Sequence, residues 1–162
     1  MRIIARLDIK SENLIKGIQF EGLRIIGDPN KFALKYFEDK ADEIILIDTV
    51  ASLYNRNNLV EIIKEASENI FIPITAGGGI RTTKDVENLL KNGADKIFLN
   101  TGAIKKPTLI NELVKEFGSQ SVVSSIEAKK ISLNKWEVYT ENGRERTNID
   151  VEQWLLEVID RG

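Results

Sequence analysis

Two acidic residues stand where a buried strand gives out. Asp8 follows Ile3-Ile4-Ala5-Arg6-Leu7, and Glu127 follows Val122-Val123-Ser124-Ser125-Ile126. A carboxylate at the end of an apolar run sits at the rim of a sheet. Partial desolvation there raises its pKa and suits it to general acid or base work. Structural polar groups also collect at strand ends, so position alone leaves a capping or loop-tethering role open for each. A different chemistry is written in Ile74-Thr75-Ala76-Gly77-Gly78-Gly79-Ile80-Arg81. Glycines between a strand and a helix let backbone N–H groups cradle an anion, with Gly78 and Gly79 as the contact points. A tight turn without a ligand is the plain alternative. Asn100 and Thr101, at the end of Lys96-Ile97-Phe98-Leu99, are placed to donate to the same anion or to cap the next helix. The chain has neither histidine nor cysteine. Acid–base work therefore falls to carboxylates or lysine, and no thiolate nucleophile or disulfide is available.

The elements that must position these groups alternate along the chain. Apolar β-branched runs at Ile3–Ile9, Ile44–Ile47, Ile70–Ile74, Lys96–Leu99 and Ser121–Ile126 predict strands buried on both faces. Amphipathic stretches at Asn30–Lys40, Asn58–Ala66, Thr83–Asn92, Pro107–Phe117 and Glu152–Asp160 predict helices, with Thr83 as an N-cap and Pro107 in a first turn. The rhythm predicts an α/β fold with parallel strands, either a β/α barrel or a doubly wound sheet. Two segments break it. Lys10–Pro29 reads as a long polar first loop, and Lys130–Thr147 as a hairpin turning at Glu141-Asn142-Gly143. Long loops after strands are where barrel enzymes place chemistry.

The 162 residues suit a single domain, and the formal net charge of −2 gives no footing for nucleic acid or an anionic membrane. The opening MRIIARLDIK is too short an apolar run for a signal peptide or a membrane span, which leads us to expect a cytoplasmic protein.

The order and spacing of the motifs resemble one family, the ammonia-using cyclase subunit of imidazole glycerol phosphate synthase (HisF). The resemblance runs through Leu7-Asp8-Ile9-Lys10, Lys16-Gly17, Gly27-Asp28-Pro29, Asp48 with Ala51-Ser52, Gly77-Gly78-Gly79-Ile80, Gly93-Ala94-Asp95-Lys96, Asn100-Thr101, Phe117-Gly118-Ser119-Gln120 and Ile126 with Ala128-Lys129. It implies the first five β/α units of a TIM (β/α)8 barrel, with strands six to eight absent from the chain. The catalytic carboxylates would be Asp8 and Glu127, facing each other across the lumen. Lys16 would contact substrate, and Gly79, Asn100 and Thr101 would hold a substrate phosphate. Arg2, Glu43 and Lys96 match three positions of a charged ring that gates ammonia from a docked glutaminase (HisH-type) subunit. An ordinary ion-pair layer plugging the barrel end is equally open for that trio. The substrate would be a bis-phosphorylated ribulosyl-aminoimidazole, the products imidazole glycerol phosphate and an aminoimidazole carboxamide ribotide, and no metal or organic cofactor is implied.

The chain departs from that family's pattern in three ways. Glu127 stands where the family has aspartate, and the added methylene moves the carboxylate by about 1.5 Å; misplacement on that scale costs about 100-fold in rate. Arg6 stands where histidine-pathway enzymes usually carry cysteine. The chain also stops at Gly162, so a fragment is expected, with strands one and five as open edges that invite self-association. Arg6, Glu127 and the Ala51–Asn57 stretch resemble a branch of the family from surface-polysaccharide clusters, which passes ammonia to an N-acetyl-sugar amidotransferase for acetamidino-sugar synthesis. A non-catalytic ammonia conduit and a sugar-phosphate isomerase on the same barrel are the remaining alternatives. The conduit has no need of an anion site, and the Lys16–Glu21 loop fits HisF better than the isomerase.

Overall fold

The structure is a computed structural model that describes residues 1–18, 21–51 and 59–162. Most of the Ala51–Asn57 stretch, Asn58 at the start of an expected helix, and the Gln19-Phe20 part of the first loop lie outside the described residues. Five parallel strands lie side by side in chain order: β1 (Ile4–Lys10), β4 (Glu43–Asp48), β5 (Ile74–Gly77), β6 (Lys96–Leu99) and β7 (Val122–Ser124). Helices α1 (Pro29–Glu38), α2 (Leu59–Asn69), α3 (Thr83–Lys91), α4 (Thr101–Lys105), α5 (Thr108–Phe117) and α6 (Val151–Asp160) alternate with them. This is an α/β fold with a parallel central sheet, in the sequential strand order of a β/α barrel.

Strand alternation sorts the side chains into two layers. Leu7 and Ile9, Ile44 and Leu46, Ile74 and Ala76, Ile97 and Leu99 turn one way and are buried with helix residues Ala33, Ile63, Val86, Leu89, Leu109 and Leu113 in one cluster. The other face carries charged and polar side chains among apolar ones. Register places Asp8, Ile47, Gly77, Phe98 and Val123 in one row, and Arg6, Ile45, Thr75 and Lys96 in the row beneath.

Several elements differ from expectation. The third strand, expected at Ile70–Ile74, pairs from Ile74 onward; Pro73, which has no N–H to give a ladder, stands just before it. The expected first loop is an antiparallel ribbon, β2 (Asn13–Ile18) and β3 (Glu21–Gly27), with Leu14 and Ile15 buried. The ribbon pairs with β1 only at Ile9 and Lys10, so among the described residues Ile4–Asp8 stays unpaired on that side. The N-cap of α3 is Thr82, not Thr83. Its hydroxyl accepts from the Asp85 amide while the Asp85 carboxylate accepts from the Thr82 amide, a capping box one residue earlier. Pro107 occupies the N-cap of α5 rather than its first turn.

The fifth strand is shorter than the apolar run that announced it. It ends at Ser124, and Glu127 opens a second sheet of β8 (Glu127–Ser132), β9 (Lys135–Thr140) and β10 (Glu145–Asp150). The expected single hairpin is therefore two. The turn at Glu141–Gly143 is present, and a second one passes through Asn134, whose φ of 57° is the left-handed conformation Asn tolerates.

Candidate active site

At the carboxyl ends of the parallel strands lies a cavity of about 290 Å³. Its wall includes Arg6, Asp48, Gly78, Gly79, Asn100, Thr101, Lys105, Lys106, Glu127 and Asn142. The structure thus brings Gly78, Gly79, Asn100, Thr101 and Glu127 together. Asp8 is not in that wall; it stands half-buried one step away, its Oδ1 accepting from Arg6 Nε at 2.8 Å. Lys16 is exposed on β2 in register with Arg24 and does not line the cavity.

The glycine turn is built for a backbone cradle. Gly78 has φ 107° and Gly79 φ 68°, both in the region that L side chains avoid. Among the described residues the amides of Gly79 and Ile80 donate to no backbone carbonyl. The first turn of α4 packs so tightly on Ile80 that a Cβ at Gly102 would strike its carbonyl oxygen, and this contact sets Asn100 and Thr101 beside the glycine turn. Helix capping was the bland alternative for Asn100, and its side chain makes no such bond. Among the described residues its Oδ1 is instead buried without a hydrogen-bond partner, a costly state that a donor in the cavity would relieve.

Glu127 sits where its neutral form is favoured. Burial pushes its carboxyl above the usual 4.5, against the pull of the Gly143 amide at 2.8 Å, Asn100 and the Arg6 guanidinium, while nearby Glu141 adds to the rise. The turn supplying that amide holds Glu141, Asn142 and Gly143 all at positive φ, of 51°, 63° and 74°. It is pinned over the cavity mouth: the Glu141 amide donates to Thr101 Oγ1 at 3.1 Å, and the buried Glu141 carboxylate meets Lys105 Nζ at 2.7 Å. The Asn-Gly dipeptide marked this turn in the sequence, but nothing local could say that it folds back onto the site. Lys105 and Lys106 were missed for the same reason, because α4 is a single short turn with no periodicity to read.

The opposite end of the sheet holds the charged trio. Glu43 Oε2 meets Lys96 Nζ at 2.9 Å and Arg2 Nη1 at 3.8 Å, and Thr75 Oγ1 donates to Glu43 Oε1 at 2.7 Å. Burial alone would lift the Glu43 pKa, but Thr75, Lys96 and Arg2 overcome it and hold the carboxyl below the usual range. A carboxylate lowered on folding stabilises above its unfolded pKa, and that contribution is lost as pH falls through the folded value. Glu43→Ala is expected to cost about 2 kcal/mol at pH 7, less than a fully buried pair loses. The Lys96 side chain keeps 24% of its exposure and can reach water, which limits the cost. Urea melts at pH 7 and pH 4 check this: the difference between wild type and variant should shrink at the lower pH.

A parallel β/α sheet whose carboxyl ends carry a glycine turn and a carboxyl with a raised pKa defines a domain of the β/α-barrel class. The chain belongs to the family described as histidine biosynthesis protein, which it matches over residues 2–162. It is 59% identical to a protein of Legionella pneumophila named imidazole glycerol phosphate synthase subunit HisF, over 95% of this chain and 73% of that one. Proteins of the same name from Dictyoglomus thermophilum and a Hydrogenobaculum species are 44% and 45% identical over 99% of this chain. The chain spans 64% of the length of each of those two. Among the described residues no helix is long and apolar enough to cross a membrane.

Proposed function

We propose that this chain carries HisF-type cyclase chemistry. It would take ammonia from a glutaminase partner and convert a bis-phosphorylated ribulosyl-aminoimidazole into imidazole glycerol phosphate and an aminoimidazole carboxamide ribotide. The single observation that supports this most is the joint lining of one cavity by Glu127, the Gly78-Gly79 turn, Asn100 and Thr101. One substrate phosphate rests on the amides of Gly79 and its neighbours, with Thr101 and the amide nitrogen of Asn100 as further donors. Ammonia attacks the ribulosyl carbonyl carbon. Glu127, which keeps its proton longer than an ordinary carboxyl, donates it to the oxygen that departs as water, and Asp8 accepts protons from the nitrogen as the imine forms. The imine nitrogen then closes the ring on the amidine carbon, whose C–N bond to the aminoimidazole carboxamide ribotide breaks as that leaving nitrogen takes up a proton. Lys16 adds a cation from the Asp8 side. Arg2, Glu43 and Lys96 form the gate at the far end, where a glutaminase docks. That end is suited to a partner because its charges are already paired, so a neutral molecule passes without breaking a hydration shell. The relatives carry the synthase name, and they lend the acetamidino-sugar reading no support.

The test is direct. Purified protein is mixed with an ammonium salt and the phosphorylated substrate, and ring formation is followed by the loss of substrate absorbance and by product chromatography. Appearance of both products supports the cyclase. Ammonia passage without turnover would favour the conduit.

A further inference from the structure

Arg6 has no role in the reading above, yet the lumen face is arranged around it. Its Nε donates to Asp8 at 2.8 Å, and its guanidinium carbon lies 5.9 Å from the centroid of the Phe98 ring. Phe98 can take that position because the residue beside it in the row is Gly77. A Cβ at Gly77 would come within 2.6 Å of Phe98 Cβ and 2.9 Å of its Cδ1. The ring therefore rests over bare backbone and offers its face to the cation. Two groups thus hold the guanidinium, and they engage only one of its nitrogens. Among the described residues neither terminal nitrogen of Arg6 has a hydrogen-bond partner, and the side chain, 46% exposed, forms part of the cavity wall. A planar fork of N–H donors that is anchored at one nitrogen and open to the cavity matches the in-plane lone pairs of a carboxylate or carbonyl oxygen.

We propose that Arg6 is a substrate-binding residue that grips a carboxylate or carbonyl oxygen of a ligand whose phosphate lies on the Gly79–Thr101 cradle. The inference rests on reading that cradle as a phosphate subsite. Phe98, beneath the guanidinium, is two residues before Asn100 along the chain, a span of roughly 7 Å. A small phosphorylated acid bridges a comparable distance, so the two anchors select ligands that carry a phosphate and a planar oxygen group a few bonds apart. Arg6 then distinguishes such substrates from simple phosphates.

Calorimetric titration with inorganic phosphate and with 3-phosphoglycerate tests this on wild type, Arg6→Met and Arg6→Lys. The wild type is expected to bind 3-phosphoglycerate about 10-fold or more tighter than inorganic phosphate, the gain typical of a hydrogen bond to a charged group. Arg6→Met should lose most of that preference while its inorganic phosphate affinity stays within about 2-fold, and Arg6→Lys should recover only part, because an ammonium cannot form the fork. Arg6→Gln is read in the same way if the methionine variant does not fold. Equal 3-phosphoglycerate affinity in wild type and Arg6→Met overturns the proposal while leaving the cradle intact. Absence of inorganic phosphate binding by the wild type overturns the cradle itself, and the role of Arg6 with it.

Discussion

Glu127→Gln is expected to lower kcat for ring formation by about 100- to 10,000-fold with little change in KM, the usual loss when a positioned proton donor is removed. The substituted amide keeps the size of the side chain, and its oxygen can still accept from the Gly143 N–H. The cavity wall therefore stays in place and only the transferable proton is gone. Wild-type kcat should itself fall on the alkaline side of a pKa above 4.5, since burial is what keeps the proton on Glu127. The same burial makes a prediction about stability with the opposite sign from Glu43. A carboxyl raised on folding contributes its stability in full below the unfolded pKa, and loses it as pH rises through the folded value. The glutamine variant should therefore match wild type near pH 4 and melt at a higher temperature than wild type at neutral pH. An inactive protein that is more stable than its parent is the signature of a group held against its own preference for function. Asp8→Asn should also abolish turnover, but it should leave 3-phosphoglycerate affinity less disturbed than Arg6→Met, because Asp8 supports the guanidinium from outside the cavity wall. Retention of most of the activity by Glu127→Gln would remove the acid–base assignment.

How much of this was legible beforehand follows from the range of each interaction. The parallel core was legible because β4 and β6 are short, largely apolar runs, and their pattern is local: the run Lys96–Leu99 matches its strand to the residue. That the glycine turn and Asn100-Thr101 stand at the carboxyl ends of neighbouring strands was legible because strand–turn–helix order needs no knowledge of distant contacts. What escaped depends on residues far apart in the chain or on a single side chain's choice. The capping box at Thr82 is a one-residue choice that only the Asp85 side chain settles. The return of Glu141–Gly143 to Thr101 and Glu127 closes loops of 40 and 16 residues, and no periodicity records such a closure. Glu127 shows both sides of this. Its identity and its position after an apolar run pointed to a rim carboxyl, yet it begins a new strand instead of ending the old one. The irregular Ser125-Ile126 link that re-aims it has no hydrophobic signature. Arg6 was visible only as an oddity. Its meaning needed Gly77 and Phe98, on two other strands, to be seen beneath it.

Gly78→Ala is expected to cost about 2–4 kcal/mol in stability, and about 10-fold or more in inorganic phosphate affinity, the largest effect of any single methyl group added near the site. Two independent costs meet there. The residue has φ 107°, where an L side chain pays for its Cβ in strain. The new methyl would also fall directly on the Asp48 carbonyl oxygen, with the Asp48 carbon and nitrogen 3.0 Å away. Those atoms belong to backbone at the end of β4 and cannot swing aside as a flexible side chain would. Asp48 is itself fixed by its Oδ1, which accepts from the Val50 amide at 3.0 Å, so relief must come from the glycine turn. Any shift there moves the Gly79 and Ile80 amides relative to Thr101, and a cradle loses affinity steeply when its donors stop converging. Stability and binding should therefore fall together in Gly78→Ala, whereas Arg6→Met should leave phosphate binding alone. Thermal melts and phosphate titration on the two variants separate a defect in the cradle from a defect in the second anchor. A Gly78→Ala protein that melts like wild type and binds phosphate normally would show that the turn is not what holds the anion.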